Sequence, residues 1–146
     1  MDASDDSKRA AKRVLDLLQP NTMTKVVAFH SVEHPTAFVL NIPLTVGIPY
    51  GISTDPKSIN DQHKKIGKKL LDDTKNIFAK ANKSIETRLI EDEDPEDYIM
   101  RIVEEEDFDL MALGSKGEHS RLKEIFMGSI AQKVLNDASC DVLVVR

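Results

Sequence analysis

The chain has no tryptophan, one cysteine (Cys140) and only 5% aromatic residues among its 146 positions. A single cysteine excludes an intrachain disulfide. Together with a start unlike a secretory signal, it sets the expectation of a reducing, cytoplasmic setting. With so few rings there is no aromatic platform on which nucleic-acid bases could stack. Long hydrophobic runs are missing too. The longest, such as "VLVV" and "DLMAL", fall far short of the roughly 20 apolar residues that span a bilayer, so no membrane association is expected. Positive charge is in deficit, with 20 Lys and Arg against 25 Asp and Glu for a net charge of -5. A general nucleic-acid binder needs a basic face to neutralise phosphates, so no nucleic-acid partner is expected. One small anion stays open, because a few backbone amides can hold it. The four histidines and the cysteine show no metal-ligand spacing, and no metal site is expected. Ser4, Ser115 and Ser129 have no Asp-His arrangement near them, which leaves a hydrolase triad unsupported.

A length of 146 residues suits one domain over 1–146, with a core that buries roughly two-thirds of the unfolded surface. "SDDSKRAAKRVLDLLQP" reads as a helix capped by Ser4 or Asp5, with Ala10, Ala11, Val14, Leu15, Leu17 and Leu18 inward and Pro20 as its stop. "TKVVAFHSV" reads as a buried strand. Residues 34–57 form a long connection that carries Pro35, Pro43, Pro49 and Pro56, and its apolar content suggests a lid or a contact surface. From Ser58 to about Asn82 the period is helical, with Ile66, Leu70, Leu71, Ile77 and Phe78 inward. "SIETRLIE" alternates as a strand. Asp94-Pro95-Glu96-Asp97 opens a helix to about Glu106, with acids on its positive dipole end. "FDLMALG", "SIAQKVLNDA" and "CDVLVVR" follow as strand, helix and strand. Strands alternating with helices predict an α/β fold, a parallel sheet with helices on both faces. Such sheets bind ligands beyond the carboxyl ends of their strands.

Half of the 6 glycines lie between Gly114 and Gly128, where "LMAL" ends and the last helix begins. Gly114 and Gly117 can take positive φ and let a ligand approach the backbone. Gly128-Ser129 opens a helix whose first amides lack internal partners and suit an anion, with the Ser129 hydroxyl as a further donor. From spacing alone, turn chemistry and phosphate binding both stand open. The stretch is not a Walker loop, since no GK[ST] follows, nor a Rossmann GxGxxG at a first strand.

Over nearly its whole length the chain resembles the universal stress protein family. The glycine stretch is similar to that family's nucleotide-binding signature: Gly, two residues, Gly, about nine residues, Gly-Ser/Thr, then a helix. "MDASDDSKRAAKRVL", "KVVAFHSV", "DPEDYIMRIVEEEDFDLMALGS" and "ASCDVLVVR" resemble its Asp-x-Ser helix start, second strand, Pro-Glu helix with fourth strand, and closing strand. The resemblance implies a three-layer α/β/α, Rossmann-like fold of the adenine nucleotide alpha hydrolase-like group. It also implies an ATP-binding homodimeric module in stress response or signalling, with Mg²⁺ accompanying the nucleotide. Residue by residue, it places Asp2 by the ribose and Ser31 by the adenine. Leu113 and Gly114 come beneath the nucleoside, and Lys116, Gly117, Gly128, Ser129 and Ile130 around the phosphates. The homodimer would form through the final strand, Val142 to Val145. Two departures stand out. Ten residues, Glu118 to Met127, separate the second and third glycines where about nine are usual. The family's first strand, central in its 3-2-1-4-5 order, has no counterpart ahead of Asp2. An upstream segment, another part of the chain or a second chain would have to fill that place.

His30, in an apolar strand, is expected to be a packed, hydrogen-bonded histidine. His34, His63 and His119 are read as surface residues, and Cys140 as a small core residue. "EDEDPEDYIM" lacks the alternating spacing and glycine of an EF-hand and reads as an acidic helix start. No base is placed to activate water, so any ATP hydrolysis should be slow. Two rival functions remain: a family member that acts through protein contacts without nucleotide, and an adenylating enzyme, although no SGGxDS, HIGH or KMSKS-type motif is present.

Overall fold

The computed structural model describes residues 1, 4–20, 23–32, 56–115 and 127–146. Their elements run α1 (Asp5–Leu17), β1 (Val27–Ser31), α2 (Pro56–Lys80), β2 (Glu86–Ile90), α3 (Pro95–Glu105), β3 (Leu110–Gly114), α4 (Ser129–Asp137) and β4 (Asp141–Val145). Ser4 caps α1 by accepting from Ser7 N at 3.1 Å, and Asp5 and Asp6 follow on the positive dipole end. Asp94 holds the N-cap position of α3, with Pro95 next, but its side chain makes no cap bond. Its carbonyl instead accepts from Tyr98 N at 3.0 Å. Asn82 and Asp107 turn the chain after α2 and α3 with φ of 54° and 53°, left-handed values that Asn and Asp tolerate best after Gly.

Two helix faces differ from the predicted ones. In α2 the buried stripe is Gly67, Leu71, Thr74 and Phe78, whereas Ile66 is 57% exposed. The i, i+4, i+7, i+11 spacing of that stripe turns Ile66 about 100° away from it. In α1, the small residues Ser7, Ala10 and Ala11 are buried and Leu17 stands 53% exposed in the last turn. Small side chains let α1 lie close on β3 and β4.

The strands are parallel, as predicted. Among the described residues they form two ladders rather than one sheet: β1 with β2, from Val27↔Glu86 to Ser31↔Ile90, and β3 with β4, from Leu110↔Asp141 to Gly114↔Val145. Helix α2 packs on β1 and β2, α1 on β3 and β4, and α3 against α4. One core joins the ladders. Ile99, Val103, Met111 and Val134 form its buried centre, and both Phe29 of β1 and Leu113 of β3 pack on it. The Phe29 and Tyr98 rings meet at 4.8 Å between centroids.

At the amino ends of the strands a charge cluster ties β2 to the end of α3. Arg88 donates to Glu106 through both terminal nitrogens, one bond at 2.9 Å, and also to Glu86 at 2.6 Å and to Tyr98 Oη at 3.3 Å. Lys25 adds a bond to Glu106 at 2.6 Å. The Arg88 guanidinium, with Lys25 behind it, pulls the Glu106 carboxyl down to about 2.

Candidate functional site

The opposite, carboxyl ends of the strands carry the glycine stretch. β3 ends at Gly114, and Ser115 continues the ladder by donating its N–H to Val145 O at 2.7 Å. Its carbonyl accepts from Gly128 N at 2.8 Å. That bond ties Ser115, just past β3, to Gly128 at the start of α4. Gly128 is extended (φ -61°, ψ 153°), and its carbonyl accepts from Gln132 N at 2.9 Å as the first turn of α4. The N–H groups of Ser129, Ile130 and Ala131 are therefore the donors that α4 leaves over, and among the described residues no side-chain cap bond is made to them. Gly128 itself shapes the site through its backbone conformation, because its own N–H is spent on Ser115.

α1 closes the other side. A Cβ on Gly114 would sit 2.8 Å from Ser7 N and 2.9 Å from Asp6 C, so only glycine lets the start of α1 lie this near the end of β3. The Ser115 hydroxyl, on a residue 4% exposed, donates to Asp6 Oδ2 at 2.7 Å, and Arg9 pairs with the same carboxylate.

Of the predicted residues, Leu113, Gly114, Gly128, Ser129 and Ile130 come together here through Ser115. Leu113 and Ile130 also pack on the core. Ser31 stands at the end of β1, in the other ladder, and its hydroxyl donates to Glu93 O at 3.2 Å. Asp2, Lys116 and Gly117 lie outside the described residues, as do His34, His119 and the predicted 34–57 connection apart from Pro56 and Lys57, which instead begin α2. His30 is hydrogen-bonded as expected, its Nδ1 meeting Met1 O, and His63 is exposed. Cys140 is half-buried against the core rather than fully enclosed, and burial raises its thiol above the usual range. Asp6 was missed. The sequence pattern assigns it no role, because its partner lies 109 positions away, beyond any local pattern. Among the described residues no group of three or more His, Cys, Asp or Glu side chains could hold a metal ion, and no helix is long and apolar enough to cross a membrane.

What these described backbone groups offer chemically is anion binding. Three unspent amides at a helix start sit beside a strand end reachable at backbone distance. That arrangement fits a phosphate group attached to a body lying over β3.

Comparison with known proteins bears on the family and the fold. A family model described as "Universal stress protein family" matches residues 1–146. A universal stress protein of Methanocaldococcus jannaschii is 28% identical over 145 residues, covering 99% of this chain and 78% of that protein. Shorter matches, to a second such protein of the same organism and to one of Bacillus subtilis, span 62% and 58% of their lengths. Among solved structures, a universal stress protein from Lactobacillus plantarum superposes with a TM-score of 0.77 at 18% identity, covering 100% of this chain and 93% of that one. A universal stress protein solved in complex with cAMP gives 0.63 at 22%, with 100% and 92% covered. A family member from Arabidopsis thaliana with AMP bound gives 0.58 at 20%, with 94% and 76% covered.

Proposed function

The chain belongs to the universal stress protein family, and from that premise we propose that it binds an adenine nucleotide, ATP or a relative, at the carboxyl end of β3. The phosphates rest on the first turn of α4, and the nucleoside lies over Leu113 and Gly114. Asp2, Lys116 and Gly117 complete the contacts, with Ser31 on the adenine side. Relatives solved with AMP and with cAMP support this nucleotide class. The observation that carries the reading is the set of unspent N–H donors on Ser129, Ile130 and Ala131, framed by the Gly128 N to Ser115 O bond of 2.8 Å. Each amide bonded to a charged phosphate oxygen contributes about 1.5–3 kcal/mol net. After the cost of ordering ligand and loop, such a set suits affinity of micromolar order. Mg²⁺ arrives with the nucleotide. The protein acts as a single-domain stress or signalling module, with β4 as the edge through which two copies pair.

Ser129→Pro tests the cradle. Proline is favoured at a first helical position, and the extended Gly128 before it is compatible. The change therefore deletes one amide and one hydroxyl while sparing the helix. Purified wild-type protein is extracted with acid, its supernatant is chromatographed for nucleotide, and ATP-Mg²⁺ affinity is measured by calorimetry. Wild-type protein should carry or bind nucleotide, and Ser129→Pro should bind about tenfold or more weakly. Equal affinity in both would remove the phosphates from α4. No binding by the wild type would favour a member that acts through protein contacts.

A further inference from the structure

Each polar group of Ser115 is engaged, and each by a different element. Its N–H donates to Val145 O of β4 at 2.7 Å, its carbonyl accepts from Gly128 N ahead of α4 at 2.8 Å, and its hydroxyl donates to Asp6 Oδ2 of α1 at 2.7 Å. Asp6 is firmly set in turn. Its side chain is 14% exposed, and its other oxygen pairs with Arg9. A Cβ on Gly114 would lie 2.9 Å from Asp6 Cβ, so the first turn of α1 is pressed against the end of β3 at this point.

The start of α4 depends on this junction. Buried Ala131 and Val134 hold the body of α4 by packing. Ahead of its first turn, the main-chain tie among the described residues is the bond from Gly128 to Ser115, and α4 has no side-chain cap bond. A path of two hydrogen bonds therefore runs from the Asp6 carboxylate through Ser115 to Gly128, the residue before the first helical amide.

We propose that Asp6 is a positioning residue of the phosphate site: by holding Ser115 it fixes the first turn of α4, and it thereby sets the preference for a nucleoside phosphate over the bare nucleoside. The proposal rests on the nucleotide reading above. Bonds from amides to phosphate oxygens weaken steeply when distance or angle is lost, so a shift of the first turn is felt by a phosphate on Ser129, Ile130 and Ala131. A nucleoside over Leu113 and Gly114 does not use those amides and is indifferent to the shift. Charge alone predicts the reverse outcome. Removing the negative Asp6 would favour a nearby phosphate, and the freed Arg9 would favour it further. A loss of phosphate affinity without Asp6 is therefore the mark of positioning.

Calorimetry with ATP-Mg²⁺ and, separately, with adenosine tests this on the full chain. Wild-type protein is compared with Asp6→Ala, Asp6→Asn, Ser115→Ala and the Asp6→Ala/Ser115→Ala double variant. Asp6→Ala should bind ATP-Mg²⁺ about tenfold more weakly and adenosine within about twofold of wild type. Asp6→Asn keeps an acceptor for the Ser115 hydroxyl and should restore ATP-Mg²⁺ affinity to within about threefold. The double variant should bind no more weakly than the weaker single one, because both act through one bond. Without ligand, amide exchange at Gly128 should speed about tenfold in Asp6→Ala, while Gln132 and Ala138, bonded within α4, keep their rates. Equal losses for ATP-Mg²⁺ and adenosine, or equal speeding at all three amides, would mean general loosening and overturn the proposal. Tighter ATP-Mg²⁺ binding by both Asp6 variants would make the effect one of charge and overturn it too. A wild type that binds adenosine as tightly as ATP-Mg²⁺ sinks the α4 reading and the proposal together. A wild-type preference for ATP-Mg²⁺ that survives in Asp6→Ala sinks the proposal alone.

Discussion

Ser115 and Asp6 are joined by a hydrogen bond of 2.7 Å that ties the end of β3 to the first turn of α1. Between them the backbones run so close that Gly114 has no room for a side chain. The α4 start hangs on the same Ser115 through its carbonyl, so this pair sets the frame of the proposed phosphate site.

Asp6→Ala leaves the hydroxyl of the buried Ser115 without its acceptor, and should lower unfolding stability by about 1–3 kcal/mol. Ser115→Ala leaves Asp6 with Arg9 and should lower it less. Urea denaturation of the two variants checks the order. Gly114→Ala drives a Cβ into the backbone of Asp6 and Ser7. Overpacking of this kind costs about 1–3 kcal/mol, and nucleotide affinity should fall with it.

Gly67 in α2 sets two effects against each other. Alanine in a helix interior is favoured over glycine by about 1 kcal/mol. Yet its Cβ would lie 2.4 Å from His30 Cδ2 and 2.8 Å from Leu89 Cδ1. Crowding of about 1–3 kcal/mol wins, so Gly67→Ala should lower the melting temperature. In a His30→Ala background the same substitution should cost less, because the ring is gone and only Leu89 Cδ1 still crowds the Cβ. A double-mutant cycle reads that coupling.

The Arg88–Glu106 pair gives the protein a specific acid sensitivity. Glu106 is held down to about 2 by Arg88 first and Lys25 second, below the roughly 4.3 of an unfolded glutamate. A carboxyl depressed in the folded state stabilises fully above its unfolded value, and that contribution is lost as pH falls toward the folded one. Wild-type stability should therefore drop between about pH 4 and pH 2 more steeply than that of Glu106→Gln. Urea midpoints at several pH values in that window measure the difference.

Ile99 is 1% exposed at the centre of the core that both ladders share. Ile99→Ala should cost about 2–5 kcal/mol, a large part of the 5–15 typical of a whole domain. It should also speed exchange in β1 and β3 together. An effect confined to one ladder would show that the core does not couple them.

Every helix and strand of the described residues was legible in the sequence to within a few positions, because apolar period, proline and first-turn acids act locally. Side-chain facing was less so. Ile66 and Leu17 fit a helical apolar pattern but point to solvent, because the partner elements choose which stripe is covered. Gly114, Gly128 and Ser129 could be picked out as a strand-to-helix stretch. That Gly128 spends its own amide on Ser115, leaving the N–H groups of Ser129, Ile130 and Ala131 outside the helix's own bonds, depends on where β3 and α4 stop relative to each other.

The sequence alone determined the order of elements and the parallel α/β class, since both follow from residue periodicity and from caps and breakers near each element. Only the tertiary structure decided that Asp6 grips Ser115, that Glu106 and Arg88 pair, and that the two ladders of the described residues share one core. Those relations join residues far apart in the chain, and they exist only once packing has chosen which faces meet.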